Sequence, residues 1–125
     1  MLEIDLPDVV AEVRAAFDRY EAAIQANDPQ GLADAFWNDP RTLRYGIGEN
    51  LYGWDEITRY RQAAAGARLA RTLEKTVITT YGRDMATANT LFHRDGKLGR
   101  QSQTWMRTDE GWRVVAAHVS FLPQG

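Results

Sequence analysis

The chain has 125 residues, with 15 Lys and Arg against 17 Asp and Glu for a net charge of -2 and a pI of about 5.6. It is long enough for a single domain over 1–125 with its own core, and it lacks the basic excess of a general nucleic-acid or membrane-binding surface. There is no cysteine, which excludes disulfides, thiolate metal sites and cysteine nucleophiles together and leads one to expect a cytoplasmic protein.

The acidic start, Met1 to Asp8, has neither the positive nor the apolar segment of a signal peptide, and no apolar run reaches membrane-spanning length. A first helix is expected over about 6–26, with Asp5 or Asp8 as its cap and Pro7 in its first turn. Val10, Val13, Phe17, Tyr20 and Ile24 recur at spacings of three and four as one apolar stripe. Tyr20 lies on that stripe with a hydroxyl that needs a partner, either a backbone carbonyl or a group in a pocket. Asp28-Pro29 opens a short second helix whose buried side is Leu32, Ala33, Phe36 and Trp37, and Asn38-Asp39-Pro40 ends it. Asn38 is most simply a turn residue.

Arg41 to Tyr45 reads as a short strand running into the glycine-punctuated loop Gly46 to Asn50. The glycine spacing there matches neither the dinucleotide nor the Walker pattern. Arg44, at the end of that strand, is either a solvated edge residue or faces an anion. Gly53 to Ile57 opens a third helix with acids in its first turn, and Ile57, Tyr60, Arg61 and Ala64 follow at helical spacing. Arg61 thus lies beside the buried stripe, either snorkelling over the core edge or presenting its guanidinium to a cavity.

From Arg71 onward the chain is strand and turn. The β-branched run Leu73 to Tyr81, then Met85 to His93, then Gly99 to Arg107, then Gly111 to Ser120 are joined by short polar turns, so four consecutive antiparallel strands form a meander. Helices before strands make an α+β fold with the helices packed on one face of a curled sheet. In the last hairpin, alternation sends Gln101, Gln103 and Trp105 to one face and Ser102, Thr104 and Met106 to the other. On the return strand Val115, Ala117, Val119 and Phe121 read as the packing face, which leaves Val114, Ala116, His118 and Ser120 as a pocket wall.

The element order, the tryptophans and the closing His118-Val119-Ser120 resemble the SnoaL-like, or nuclear-transport-factor-2-like, superfamily. In that fold a strongly bent, mainly antiparallel cystatin-like sheet wraps the first helix as a conical barrel with a cavity at its open end. The segments Phe36 to Gly46, Glu49 to Gly53, Thr76 to Asp84, Gly99 to Trp105 and Ala117 to Ser120 are more closely similar to the AtzH-like (HpxZ) family, and the resemblance spans nearly the whole chain.

That resemblance implies activity on a small ureido acid: cofactor-independent decarboxylation of 1,3-dicarboxyurea to allophanate, in cyanuric acid (s-triazine) catabolism. It equally leaves open a non-catalytic ligand-binding or accessory role beside an amidase of a ureido-acid or oxalurate pathway, and a purely structural dimerising domain. The chemistry asks for recognition of a dianion and protonation of the departing nitrogen. Arginine is suited to the first, so Arg44 and Arg61 are the candidates. For the proton His118 stands first, because histidine titrates near neutral pH, and Tyr20 second. His118 is also open to a plain structural reading, hydrogen-bonded to backbone. Gln101 and Gln103 would hydrogen-bond the urea, Ser102 or Ser120 would orient the histidine, and Asn38 stands among the substrate-binding candidates. No metal is expected, since His93 and His118 are distant from each other in sequence. A homodimer is expected through the convex sheet face, where Thr76, Ile78, Thr104 and Met106 are candidates for the contact.

Overall fold

The computed structural model describes residues 1–124. Helix α1 (Pro7–Ala26) is followed by α2 (Pro29–Asp34), strands β1 (Leu43–Tyr45) and β2 (Asn50–Tyr52), helix α3 (Trp54–Ala63), and strands β3 (Thr72–Tyr81), β4 (Met85–Arg94), β5 (Lys97–Thr108) and β6 (Gly111–Phe121). The six strands form one curved, unclosed sheet in the order β2-β1-β6-β5-β4-β3. Every neighbour is antiparallel except β1, which runs parallel to β6 with Arg44 opposite Ala117. This is the α+β, cystatin-like architecture that the resemblance implies. Strand β2, three residues long, begins at Asn50, the last residue of the expected loop, and was not itself expected.

Helix α1 buries Val9, Val13, Ala16, Phe17, Tyr20, Ala23 and Ile24 against the concave face of the sheet, where Trp105, Trp112, Val114 and Ala117 meet it. The stripe has the expected period but begins at Val9, with Val10 half-buried. Neither aspartate caps the helix. Leu6 is the N-cap residue, Pro7 fills the first position, Asp5 Oδ1 accepts the Thr80 amide at 2.9 Å and Asp8 pairs with Arg83 at 3.0 Å. The acids therefore tie the helix to the β3 end of the sheet. At the other end Asn27 stops α1 in the left-handed region (φ 43°), and its side-chain amide donates to the carbonyls of Ala64 and Ala67, fastening the α3–β3 connection to the helix.

Two irregularities bend the sheet. The β3/β4 register shifts between Glu74 and Val77, with Lys75 at φ 53°, and the β5/β6 register shifts between Thr104 and Trp105 so that Val115 has no partner. Bulges add local twist and re-aim side chains. After the first, Thr76 and Ile78 turn inward: Thr76 shares a hydroxyl contact of 2.8 Å with buried Thr90, and Ile78 packs on the core. The expectation that these two lie on the convex face is thus corrected. Val77 points outward there, more than half exposed.

The second bulge separates Val114 from the face that simple alternation gives it with Ala116 and His118. Trp112 and Val114 face inward before it, Ala117 and Val119 after it, and His118 is exposed. Val114 and His118 therefore lie on opposite faces, and the pocket wall is the packing face itself. Among the described residues no helix is long and apolar enough to cross a membrane.

Candidate functional site

Beyond the C-terminal half of α1, where the core stops being filled, lies a cavity of about 230 Å³. It is smaller than the roughly 300–1,000 Å³ of drug-sized sites and suits a small metabolite. Its polar lining includes Tyr20 from α1, Arg44 from β1, Glu49 from the β1–β2 loop, Tyr60 and Arg61 from α3, and Gln101 from β5, with Arg71 and Arg94 beside them. Ile24, Ile47, Leu69, Val119 and Phe121 are its apolar residues. A larger groove of about 420 Å³ runs between α1, α2 and the far end of the sheet, but its walls are mainly alanine and tryptophan and hold none of the unpaired buried donors described next.

Helical spacing explains Arg61. It follows Ile57 by one turn, and those two are the fully buried residues of α3. At 3% exposure its guanidinium does not reach solvent. Its one hydrogen bond is a long 3.5 Å donation from Nη2 to the Tyr20 hydroxyl, and Nε has no partner. Burial pulls the Arg61 guanidinium below its ordinary pKa; Tyr20, Tyr60 and Glu49 act to raise it, and the like charge of Arg44 to lower it. Burying an ion costs several kcal/mol unless a partner compensates, and among the described residues no carboxylate pairs with Arg61.

Arg44 alternates inward between Leu43 and Tyr45, the period-two consequence of sitting mid-strand. Its Nη1 donates to Glu49 Oε1 at 2.7 Å, while its Nε is buried without a partner. Both Arg44 and Arg61 lie near the Tyr60 ring, at 5.8 and 5.9 Å from its centroid. Gln101, 2% exposed, accepts from Arg71 Nη2 at 2.8 Å through Oε1 and leaves its own amide N–H₂ unpaired. Arg71 also pairs with Glu21 at 2.5 Å and stacks 4.6 Å over the Phe92 ring. Three unpaired buried donors thus line one small cavity, and such a lining is completed by a ligand rich in acceptors.

Of the residues singled out from the sequence, Tyr20, Arg44, Arg61 and Gln101 come together at this cavity. The others do not. His118 and Ser102 line a shallow groove on the opposite, convex face beside Tyr45, whose ring meets the imidazole edge-on at 5.9 Å. Ser120 shares the outward parity of His118 and pairs with Arg100 on that face. Gln103 faces inward but lies deeper, accepting from Trp105 Nε1 at 3.1 Å. Asn38 is exposed at the turn before β1. His118 does lie opposite Ala117 and Val119, as alternation assigns it, but that face is the convex outside of the sheet, and the cavity is lined from the packing face.

Sequence reasoning missed Glu49, Arg71 and Arg94. For Glu49 a signal existed: a two-glycine turn between strands returns position 49 beside 46, within reach of Arg44. Arg94 stood before the Asp95-Gly96 turn and reads as a turn residue; it instead lies over the Phe121 ring at 5.3 Å at the cavity. Arg71 and Glu21 are fifty positions apart, and no local pattern joins them. Among the described residues no cluster of three or more His, Cys, Asp or Glu side chains is placed to hold a metal ion.

A helix-wrapped, unclosed sheet with a small polar cavity beyond the first helix places this chain among the NTF2-like, cystatin-like folds. A structure of an NTF2-like superfamily protein from Salmonella enterica is 26% identical, covers 94% of this chain and 93% of its own, and superposes with a TM-score of 0.74. Two structures are much more similar. A protein of unknown function from Pectobacterium atrosepticum is 55% identical over 96% of this chain and 95% of that one, at a TM-score of 0.92. A cystatin-like fold protein from Burkholderia xenovorans is 43% identical over 100% of both chains, also at 0.92. None of the curated proteins compared matches the chain. The AtzH-like family model matches residues 2–125, and the chain belongs to the AtzH-like family.

Proposed function

We propose that the protein is a cofactor-independent decarboxylase of a small N-carboxylated urea, converting 1,3-dicarboxyurea to allophanate. The observation that carries this reading is Arg61, a buried guanidinium without a carboxylate partner, beside the Tyr20 hydroxyl in a cavity lined by unpaired donors. Arg44 and Arg61 hold the retained carboxylate, and the Gln101 amide donates to the urea carbonyl. The departing carboxylate lies toward Ile24, Leu69 and Val119, where apolar side chains favour neutral carbon dioxide over the ion. The C–N bond breaks with its electron pair going to nitrogen, carbon dioxide leaves, and the nitrogen takes the proton of the Tyr20 hydroxyl. Arg61 stabilises that oxygen until water restores the proton.

Carbon dioxide release from freshly generated 1,3-dicarboxyurea, counted above spontaneous decay, tests the proposal. Tyr20→Phe should lower kcat about 100-fold or more, the usual contribution of a positioned proton donor. Arg44→Ala should remove most of the acceleration, while His118→Ala should retain it. No acceleration by the wild type would refute the reading for this substrate; loss with His118→Ala alone would refute the role of Tyr20.

A further inference from the structure

Glu49 is the odd group in the cavity. The lining otherwise offers N–H groups and the hydroxyls of Tyr20 and Tyr60, whereas Glu49 is its one carboxylate and offers only acceptors. Its position is built. The Gly46 amide donates to the Glu49 carbonyl at 2.8 Å and closes the β1–β2 turn, Oε1 accepts from Arg44 Nη1 at 2.7 Å, and Oε2 accepts from the Gly48 amide at 3.1 Å. Gly46 is what leaves room for it: a Cβ at that position would lie 1.7 Å from Glu49 Oε1 and 2.7 Å from Arg44 Nη1. Burial acts to raise the Glu49 pKa, but the hydrogen bond and charge of Arg44, the Gly48 amide and Tyr60 outweigh it and hold the carboxyl below its ordinary value.

An ionised carboxylate has about four lone-pair directions, and Arg44 and Gly48 take two of them. The remaining acceptor capacity serves the cavity that Glu49 lines. The Glu49 charge opposes a ligand carboxylate at its own oxygens, so a carboxylate held by Arg44 and Arg61 takes the side of that pair away from Glu49.

We infer that Glu49 is a specificity-determining residue, its carboxylate accepting a hydrogen bond from the ligand, so that the cavity selects small anions carrying an N–H donor over anions of equal charge and shape without one. This rests on the cavity being an anion site, as proposed above.

Calorimetric titration with ureidoacetate and levulinate tests it. The two share one carboxylate and one carbonyl, and differ in that the two nitrogen groups of the first are carbon in the second. The wild type should bind ureidoacetate at least about tenfold more tightly, as a hydrogen bond to a charged group provides. In Glu49→Leu, which removes both acceptor oxygens, the preference should fall to about one. Because both probes carry the same charge, the ratio cancels the general gain in anion affinity from removing a negative group. Gly46→Ala provides an independent arm, since it keeps the carboxylate but pushes it off its seat, and it should reduce the ratio as well. Equal wild-type affinities, or a ratio that survives in both variants, would overturn the role of Glu49 while leaving the anion cavity intact. Failure of the wild type to bind either probe would overturn the anion cavity and this inference with it.

Discussion

Glu49 and Arg61 show how burial treats charge of either sign at the level of single residues. Both lose solvent, but Glu49 recovers two hydrogen bonds and a counter-charge while Arg61 recovers one long contact. The consequence for Glu49 is a pH dependence of stability. Its folded-state pKa lies below the ordinary 4.5, so the pairing contributes stability that is fully present above about pH 4.5 and is lost as pH falls through the folded value. Glu49→Gln should therefore have a flatter acid limb than the wild type when urea unfolding is followed by circular dichroism from pH 6 downward. Parallel limbs would show that the carboxylate is not held by Arg44 in solution. Tyr20 and Arg61 were legible in the sequence because helical spacing puts each on or beside a buried stripe, and Arg44 because an arginine at a strand end suits a carboxylate. Glu49 was not assigned a role, because its partner is set by the width of a turn.

Among the elements, the β4–β5 pairing is where one small residue governs the site. Gly99 opposes Phe92, and a Cβ on it would fall 2.2 Å from the Phe92 ring. That ring is fully buried and supports the Arg71 guanidinium at 4.6 Å, which in turn holds Gln101 at the cavity. Gly99→Ala should cost about 1–3 kcal/mol, the usual penalty of overpacking a filled core. It should also weaken anion binding, because Phe92 cannot yield without moving Arg71. Chemical denaturation together with ligand titration checks both; a fully stable variant with unchanged affinity would contradict the coupling. The long strands and their turns were readable from β-branched runs and Asp-Gly signals. Strand β2 was not, because three residues carry too short a pattern and its formation depends on pairing with β1.

At the scale of the molecule, the sheet has one face covered by α1 and one face bare. Met85 and Val77 are exposed on the bare face, with Thr104, Met106 and Ala116 half-buried among them. The expected homodimer would cover this surface, since apolar side chains collected on one face of a small protein mark a contact site. Light scattering should then give twice the chain mass for the wild type and the monomer mass for Ala116→Arg, which sets a charge mid-face without touching the cavity. A monomeric wild type would remove the convex face as an interface and leave His118 and Tyr45 as ordinary surface residues.

Composition, helical stripes and alternating strands were enough to establish an α+β chain with helices on one side of a meander, because those patterns arise from neighbours a few residues apart. They also put Tyr20 on the buried stripe of the first helix and Arg61 beside that of the third, and left the facing of Arg44 and Gln101 open. Only the tertiary structure decided which inward residues share a cavity, paired Arg71 with Glu21 across the fold, and moved His118 to the far side of the sheet. For His118 the physical reason is which face of the curved sheet wraps the first helix, and for Val114 it is the single unpaired residue Val115. A bulge changes parity for every residue beyond it, and where a strand bulges depends on the partner strand and the curvature it must follow.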